Sequence, residues 1–121
     1  MERLIIKLLM LCIVVLPACY YDSEEDLYPA SECITADLSY QTDIAPILQR
    51  NCYSCHSAAA NTANVTLEGH SNLINHVNSG RLMGAIKHQS GFTPMPQGAP
   101  QLIDCDILKI EQWIATGAQN N

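Results

Sequence analysis

Basic side chains are scarce in this chain: six Lys and Arg stand against twelve Asp and Glu, for a formal net charge of −6. Nucleic-acid phosphates demand clustered Lys and Arg, so this balance argues against nucleic acid as a partner. Long apolar runs are missing as well, because the stretch from Leu8 to Leu16 falls well short of the about 20 residues needed to span a bilayer. No period-two alternation marks a strand, and no internal repeat is visible. The chain has no recognisable Ser, His and carboxylate set, paired acids or phosphate loop, so substrate chemistry by side chains finds no support. Nor is there a second C-x-x-C pair or an H-x3-H pair to close the tetrahedron of a structural zinc ion.

What the chain does contain is Asn51-Cys52-Tyr53-Ser54-Cys55-His56. C-x-x-C-H is the spacing that attaches haem covalently and supplies its first iron ligand. Two thiols three positions apart sit about one helical turn apart, so both can add to the two vinyl groups on one haem edge. His56, directly after the second thiol, is then held under the iron. Half of a zinc site and a thioredoxin-like dithiol are the other readings of a C-x-x-C pair. The first lacks its second ligand pair, and the second lacks the alternating strand and helix around it.

The N-terminus points to export. Arg3 and Lys7 precede the apolar run, and Leu16-Pro17-Ala18-Cys19 ends it with a small residue before a cysteine. Basic start, short apolar middle and cleavage site are the three parts of a secretory signal. The segment resembles a bacterial lipoprotein signal, in which Cys19 would be lipidated and become the first mature residue. Pro17 departs from the small or hydroxylated residue usual there. An ordinary cleaved signal and an uncleaved anchor are the alternatives. The expected organisation is a signal peptide at residues 1–18, a lipid-anchored linker at 19–31 and one domain at 32–121. The linker carries Asp22, Glu24, Glu25 and Asp26 with little apolar content, so it reads as a solvated tether. The mature protein is expected on the periplasmic side or the cell surface, held to the membrane by its lipid.

Export places the domain in an oxidising compartment. Of the six cysteines, Cys12 leaves with the signal, Cys19 takes the lipid, and Cys52 and Cys55 take the haem. Cys33 and Cys105 remain, and counting alone predicts that they form a disulfide. Two free buried thiols are the alternative.

From Ser31 onward the pattern is helical and globular. Asp43 is placed to cap a helix whose first turn tolerates Pro46, with Ile44, Ile47 and Leu48 on one side, running straight into Cys52. Asn61 to Asn64 reads as loop. Ser71 is placed to cap a short helix carrying Leu73, Ile74 and Val77, punctuated by Ser79-Gly80 before Arg81 to His88 resumes. Gly91 to Pro100, rich in proline and glycine, must be an irregular loop. Asp104 is placed to cap the last helix, where Ile107, Ile110, Trp113 and Ile114 line one face and Gly117 ends it.

A second iron ligand is expected in Thr93-Pro94-Met95-Pro96, a loop stiffened by proline on both sides of the thioether. Such a soft, neutral ligand favours the reduced iron and raises the potential, which suits a carrier accepting electrons from lower-potential donors. Met83 is a rival sulfur, but it lies on an apolar helical stripe where methionine ordinarily packs. His70, His76 and His88 are the rival nitrogens, and an open sixth position is the remaining alternative.

Taken in order, the helix Asp43-Ile44-Ala45-Pro46-Ile47-Leu48, the C-Y-S-C-H motif, the Met95-Pro96 loop and a final helix with Ile110-Glu111-Gln112-Trp113-Ile114 resemble a mono-haem class I cytochrome c of the small exported bacterial type. The likeness covers roughly residues 33 to 118. It implies an all-α fold in which the first and last helices cross near one covalently bound haem c. It implies Cys52, Cys55, His56 and Met95 as the haem-binding residues, with His56 and Met95 on the iron. The Ile44 to Leu48 face would meet the Ile110 to Ile114 face, with Trp113 either near the haem or serving as a plain core aromatic. The family usually has no disulfide corresponding to Cys33 and Cys105. The function so implied is electron transfer rather than catalysis, with redox proteins as partners. The acidic balance favours partners that present a basic docking patch. An electron-input or peroxidase-like subunit of a larger oxidoreductase, and a gas-binding module, remain as other uses of the same haem if the sixth site is open.

Overall fold

A computed structural model describes residues Cys33–Asn121. The expected signal peptide, Cys19 and the whole of the acidic tether fall within residues 1–32, outside the described residues. Five α-helices follow one another: α1 (Ala45–Asn51), α2 (Tyr53–His56), α3 (His70–Asn78), α4 (Arg81–Ile86) and α5 (Asp104–Ala115). A π-helical turn, Tyr40–Ile44, leads directly into α1, and a 3₁₀ turn, Thr62–Asn64, lies in the loop after α2. The described residues contain no strand, so this part of the chain is all-α.

The first helix begins earlier than Asp43, at Tyr40, with Ser39 at its N-terminal boundary. Pro46 supplies no N–H for the Thr42 carbonyl and its ring crowds that carbonyl, so the turn ahead of it widens. Ile44 N–H accordingly donates back five residues to Ser39 O at 3.3 Å. Asp43 acts from inside this turn instead of capping it: its carboxylate accepts the Ser39 N–H at 3.0 Å. That hydrogen bond is the main reason its pKa lies below the usual carboxylate value, with Thr42 and Lys109 acting in the same direction against partial desolvation.

Two other expected caps are displaced for related reasons. Gly69, with φ of +84°, makes the turn into α3, and its carbonyl accepts from Asn72 at 3.2 Å and Leu73 at 3.1 Å, so Ser71 lies inside the helix. Ile103 occupies the boundary of α5, which puts Asp104 and Asp106 in the first helical turn, where negative charge meets the positive end of the helix dipole. The helix expected to reach His88 ends at Ile86, and His88 itself turns left-handed with φ of +50°. α1 ends at Asn51 and so runs straight into Cys52, as expected.

Burial follows the apolar stripes. Ile44, Leu48, Leu73 and Ile110 have no exposed surface, and Ile47, Leu82, Ile86 and Ile107 join them in one core. α5 packs on the Tyr40–Ile44 turn, and Arg50 of α1 pairs with Asp106 of α5 at 3.4 Å. Trp113, 1 % exposed, sits beside Tyr40 and meets the His70 ring edge-on, with centroids 5.9 Å and 6.0 Å away. After α5, Gly117 turns with φ of +104° and Ala118 N–H donates to Trp113 O at 2.9 Å. The tail then folds back: Asn121 accepts from Tyr40 N–H and from Gln41 N–H, at 2.9 Å and 3.1 Å. A disulfide joins Cys33 to Cys105, 72 positions apart, with their Cα atoms 5.6 Å apart.

Candidate cofactor site

Cys52 ends α1, where its N–H donates to Leu48 O at 2.8 Å, and opens the next turn. Its carbonyl accepts from Cys55 N–H at 3.1 Å and from His56 N–H at 2.9 Å. Both thiols and the imidazole therefore stand on a single turn at the surface end of α1. Cys52 is half-buried against the core and Cys55 is exposed, and neither is bonded to the other or to a third cysteine. Burial pushes the Cys52 thiol up to about 11, so it is held protonated at neutral pH. Burial, with Tyr40 adding to it, raises the neighbouring Tyr53 phenol to about 12.

His56 is gripped twice by one short segment. Its carbonyl accepts the Leu67 N–H at 2.8 Å, and its ring Nδ1–H donates to the Val65 carbonyl at 3.2 Å. A carbonyl can only accept, so Nδ1 carries a proton, which leaves Nε2 as the lone-pair nitrogen of the neutral ring. The loop that delivers Val65 is wound through left-handed residues Asn61, Ala63 and Asn64. Side chains hold it in place: Glu68 accepts from Ala58 N–H at 2.7 Å and Thr66 donates to Asn61 Oδ1 at 2.9 Å. Val65 went unrecognised in the sequence because its contribution is a main-chain oxygen, which every residue type carries.

Met95 sits on a different support. Its N–H donates to Ala85 O at the end of α4, at 3.1 Å, and its own carbonyl accepts from His88 Nε2, also at 3.1 Å. The thioether residue is half-buried. Met83 is half-buried as well and packs against the core, as its place on the apolar stripe requires. Two of the three other histidines spend a ring nitrogen on structure, since His70 Nε2 donates to Ala118 O at 2.7 Å and His88 Nε2 to Met95 O. His76 is half-buried, and desolvation, followed by the nearby Arg81 and His56, lowers its pKa.

Among the described residues, no three His, Cys, Asp or Glu side chains converge as ligands on a single point. Cys52, Cys55 and His56 thus share a turn without closing on one ion. One surface hollow is lined by Lys87, His88 and Ala99 to Asp104, on the side of His88, and another lies between Leu38 and Trp113. No family model, curated protein or solved structure matches the chain.

Proposed function

We propose that this protein is a mono-haem c-type cytochrome of the class I, all-α kind, and that it carries electrons. The observation that carries the reading is the His56 Nδ1–H to Val65 carbonyl bond, 3.2 Å long, in a C-x-x-C-H turn whose thiols are both unpaired. A backbone acceptor on Nδ1 is how a protein orients an imidazole that ligates metal through Nε2 and makes it more basic. Cys52 and Cys55 would hold the haem through thioethers and His56 through its iron, so the three side chains need not close on one ion.

In this reading Cys52 and Cys55 each add across one vinyl double bond, sulfur to one carbon and the thiol hydrogen to the other. No oxidant is consumed. His56 Nε2 and Met95 Sδ would hold the iron. When bound, the haem would supply one-electron chemistry. The chain's own task is to keep both ligands still: Val65 and Leu67 hold His56, while Ala85 and His88 hold Met95. The Cys33–Cys105 disulfide supports maturation in an oxidising compartment, in keeping with export and a lipid on Cys19. The partner is a redox protein that presents a basic patch, in keeping with the chain's net charge of −6, most of which lies ahead of the described domain in Asp22, Glu24, Glu25, Asp26 and Glu32.

The test is expression beside a haem-attachment apparatus, followed by denaturing electrophoresis and visible spectra in both oxidation states. The expected product is a coloured chain that keeps its haem when denatured, and loses it when Cys52 and Cys55 are both replaced by alanine. A chain that stays colourless overturns the proposal. Met95→Ala should change the spectrum and let carbon monoxide bind the reduced protein rapidly. Rapid binding to the parent protein would instead favour the open-site, gas-binding or peroxidase-like use.

A further inference from the structure

We infer that His88, together with the seating of Phe92 on Gly84, is a latch that positions Met95 as an iron ligand. The inference rests on the haem reading above and deepens it, because it names residues that no haem motif contains. Three observations converge on the segment after α4.

First, both main-chain polar groups of Met95 are engaged from the same side of the loop. Its N–H is fixed by Ala85 O and its carbonyl by His88 Nε2–H, each at 3.1 Å. With the peptide groups on both sides of its Cα held, the remaining freedom of the thioether is rotation within its own side chain. Second, His88 adopts φ of +50°, a conformation uncommon outside glycine. The chain turns sharply there, with Gln89 N–H donating to Gly84 O at 2.9 Å, and the imidazole closes a ring seven residues long back to Met95. Third, the Phe92 ring lies on Gly84 so closely that a Cβ built at that glycine would be 2.5 Å from the ring carbons. Gly84 is buried, whereas Phe92 remains partly exposed, so the ring serves as a cover held on α4 rather than as a core residue.

Each feature alone is ordinary loop packing. In combination they fasten the loop on α4 at Gly84, Ala85 and His88, and the residue fastened at both of its polar groups is the methionine. A thioether binds iron weakly, so its occupancy depends on how little freedom it has when unbound. His88 uses Nε2 as a donor here and is therefore a positioning residue rather than a competing ligand.

The experiment uses the haem-loaded full chain and titrates the oxidised protein with imidazole, which can bind only by displacing the sixth ligand. His88→Ala removes one hydrogen bond, and imidazole should bind about tenfold more tightly than to the parent. His88→Gln keeps an N–H donor at similar reach and should restore most of the parental resistance, which loss of generic packing would not do. Gly84→Ala should act in the same direction as His88→Ala by displacing Phe92, and should add nothing once Phe92 is itself alanine. If His88→Ala does not fold, the glycine and phenylalanine variants carry the test. Parental imidazole binding in both His88→Ala and Gly84→Ala, alongside strong binding in Met95→Ala, overturns the latch and leaves the haem reading standing. Unchanged binding in Met95→Ala overturns Met95 as a ligand, and the latch with it.

Discussion

Replacing Cys33 and Cys105 together by alanine isolates the contribution of a crosslink that spans nearly the whole described chain. The two residues are 72 positions apart. Opening a loop of that length returns about 15 cal/mol/K of chain entropy to the unfolded state, or about 4 kcal/mol at 25 °C. A small domain has a total stability of about 5–15 kcal/mol, so the loss is a large fraction of it. For a domain of this size, it corresponds to a fall of roughly 20 °C in melting temperature. The native structure should change little, because the chain just after Cys33 has its own anchors: Ser39, Tyr40 and Gln41 all bond to Asn121. The melt is followed by far-ultraviolet circular dichroism, and the visible spectrum of the loaded protein serves as a check on the site. Thiol reductant added to the loaded parent should reproduce the shift, since both other cysteines of the described residues are then thioethers. A destabilisation below about 1 kcal/mol, or a changed haem spectrum in the alanine pair, would refute the reasoning. In either case the crosslink would be acting on the folded state rather than on the unfolded one.

Truncation of Trp113 and alkaline titration probe two other parts of the fold. Trp113→Ala removes a side chain only 1 % exposed and its 3.0 Å indole hydrogen bond to Gln119 O, and should cost about 3–5 kcal/mol in urea unfolding. A cost under about 1 kcal/mol would mean that the tail and Tyr40 collapse into the space. The buried Cys52 thiol, raised from 9.0 to about 11, favours the folded state while it stays protonated. That contribution is complete below pH 9, where folded and unfolded thiols are both neutral, and is lost as pH rises from 9 through about 11. The haem-free protein should therefore weaken by about 3 kcal/mol across that window. The loaded protein, whose Cys52 sulfur no longer titrates, should not show this loss. Denaturant midpoints measured on both forms across the window decide it.

Much of the fold was legible because apolar spacing and helix burial are the same physical constraint. Ile44, Leu48, Leu73 and Ile110 fell on predicted stripes and are fully buried. The helix boundaries were less legible. Capping competes with alternatives that single residues do not reveal: Asp43 reaches back to Ser39 from inside a widened turn, and Gly69 does at a positive φ what Ser71 was expected to do with a hydroxyl. The pairing of Cys33 with Cys105 was open to counting, since it needs only an inventory of sulfur atoms. The site divides along the same line. Cys52, Cys55, His56 and Met95 stand out because few side chains offer sulfur or imidazole, whereas two of the groups that hold His56 and Met95, Val65 O and Ala85 O, are main-chain oxygens.

Val65 O and Ala85 O could belong to any residue; what matters is where the chain delivers them. The Val65 carbonyl reaches His56 because three residues of the preceding loop turn left-handed and Glu68 and Thr66 hold the loop in that shape. Ala85 reaches Met95 because α4 ends at Ile86, two residues before the left-handed His88, which sends the chain back toward the helix end. In the proposed haem reading, the identity of the ligands is encoded locally, while their orientation is encoded by loop shape and by where α4 stops. The same division explains why His88, an unremarkable surface histidine by its sequence neighbours, has a structural role as specific as that of His56. Each imidazole donates a ring N–H to a carbonyl, but in the proposed reading one bond would aim its own second nitrogen and the other would hold a different residue's sulfur in place.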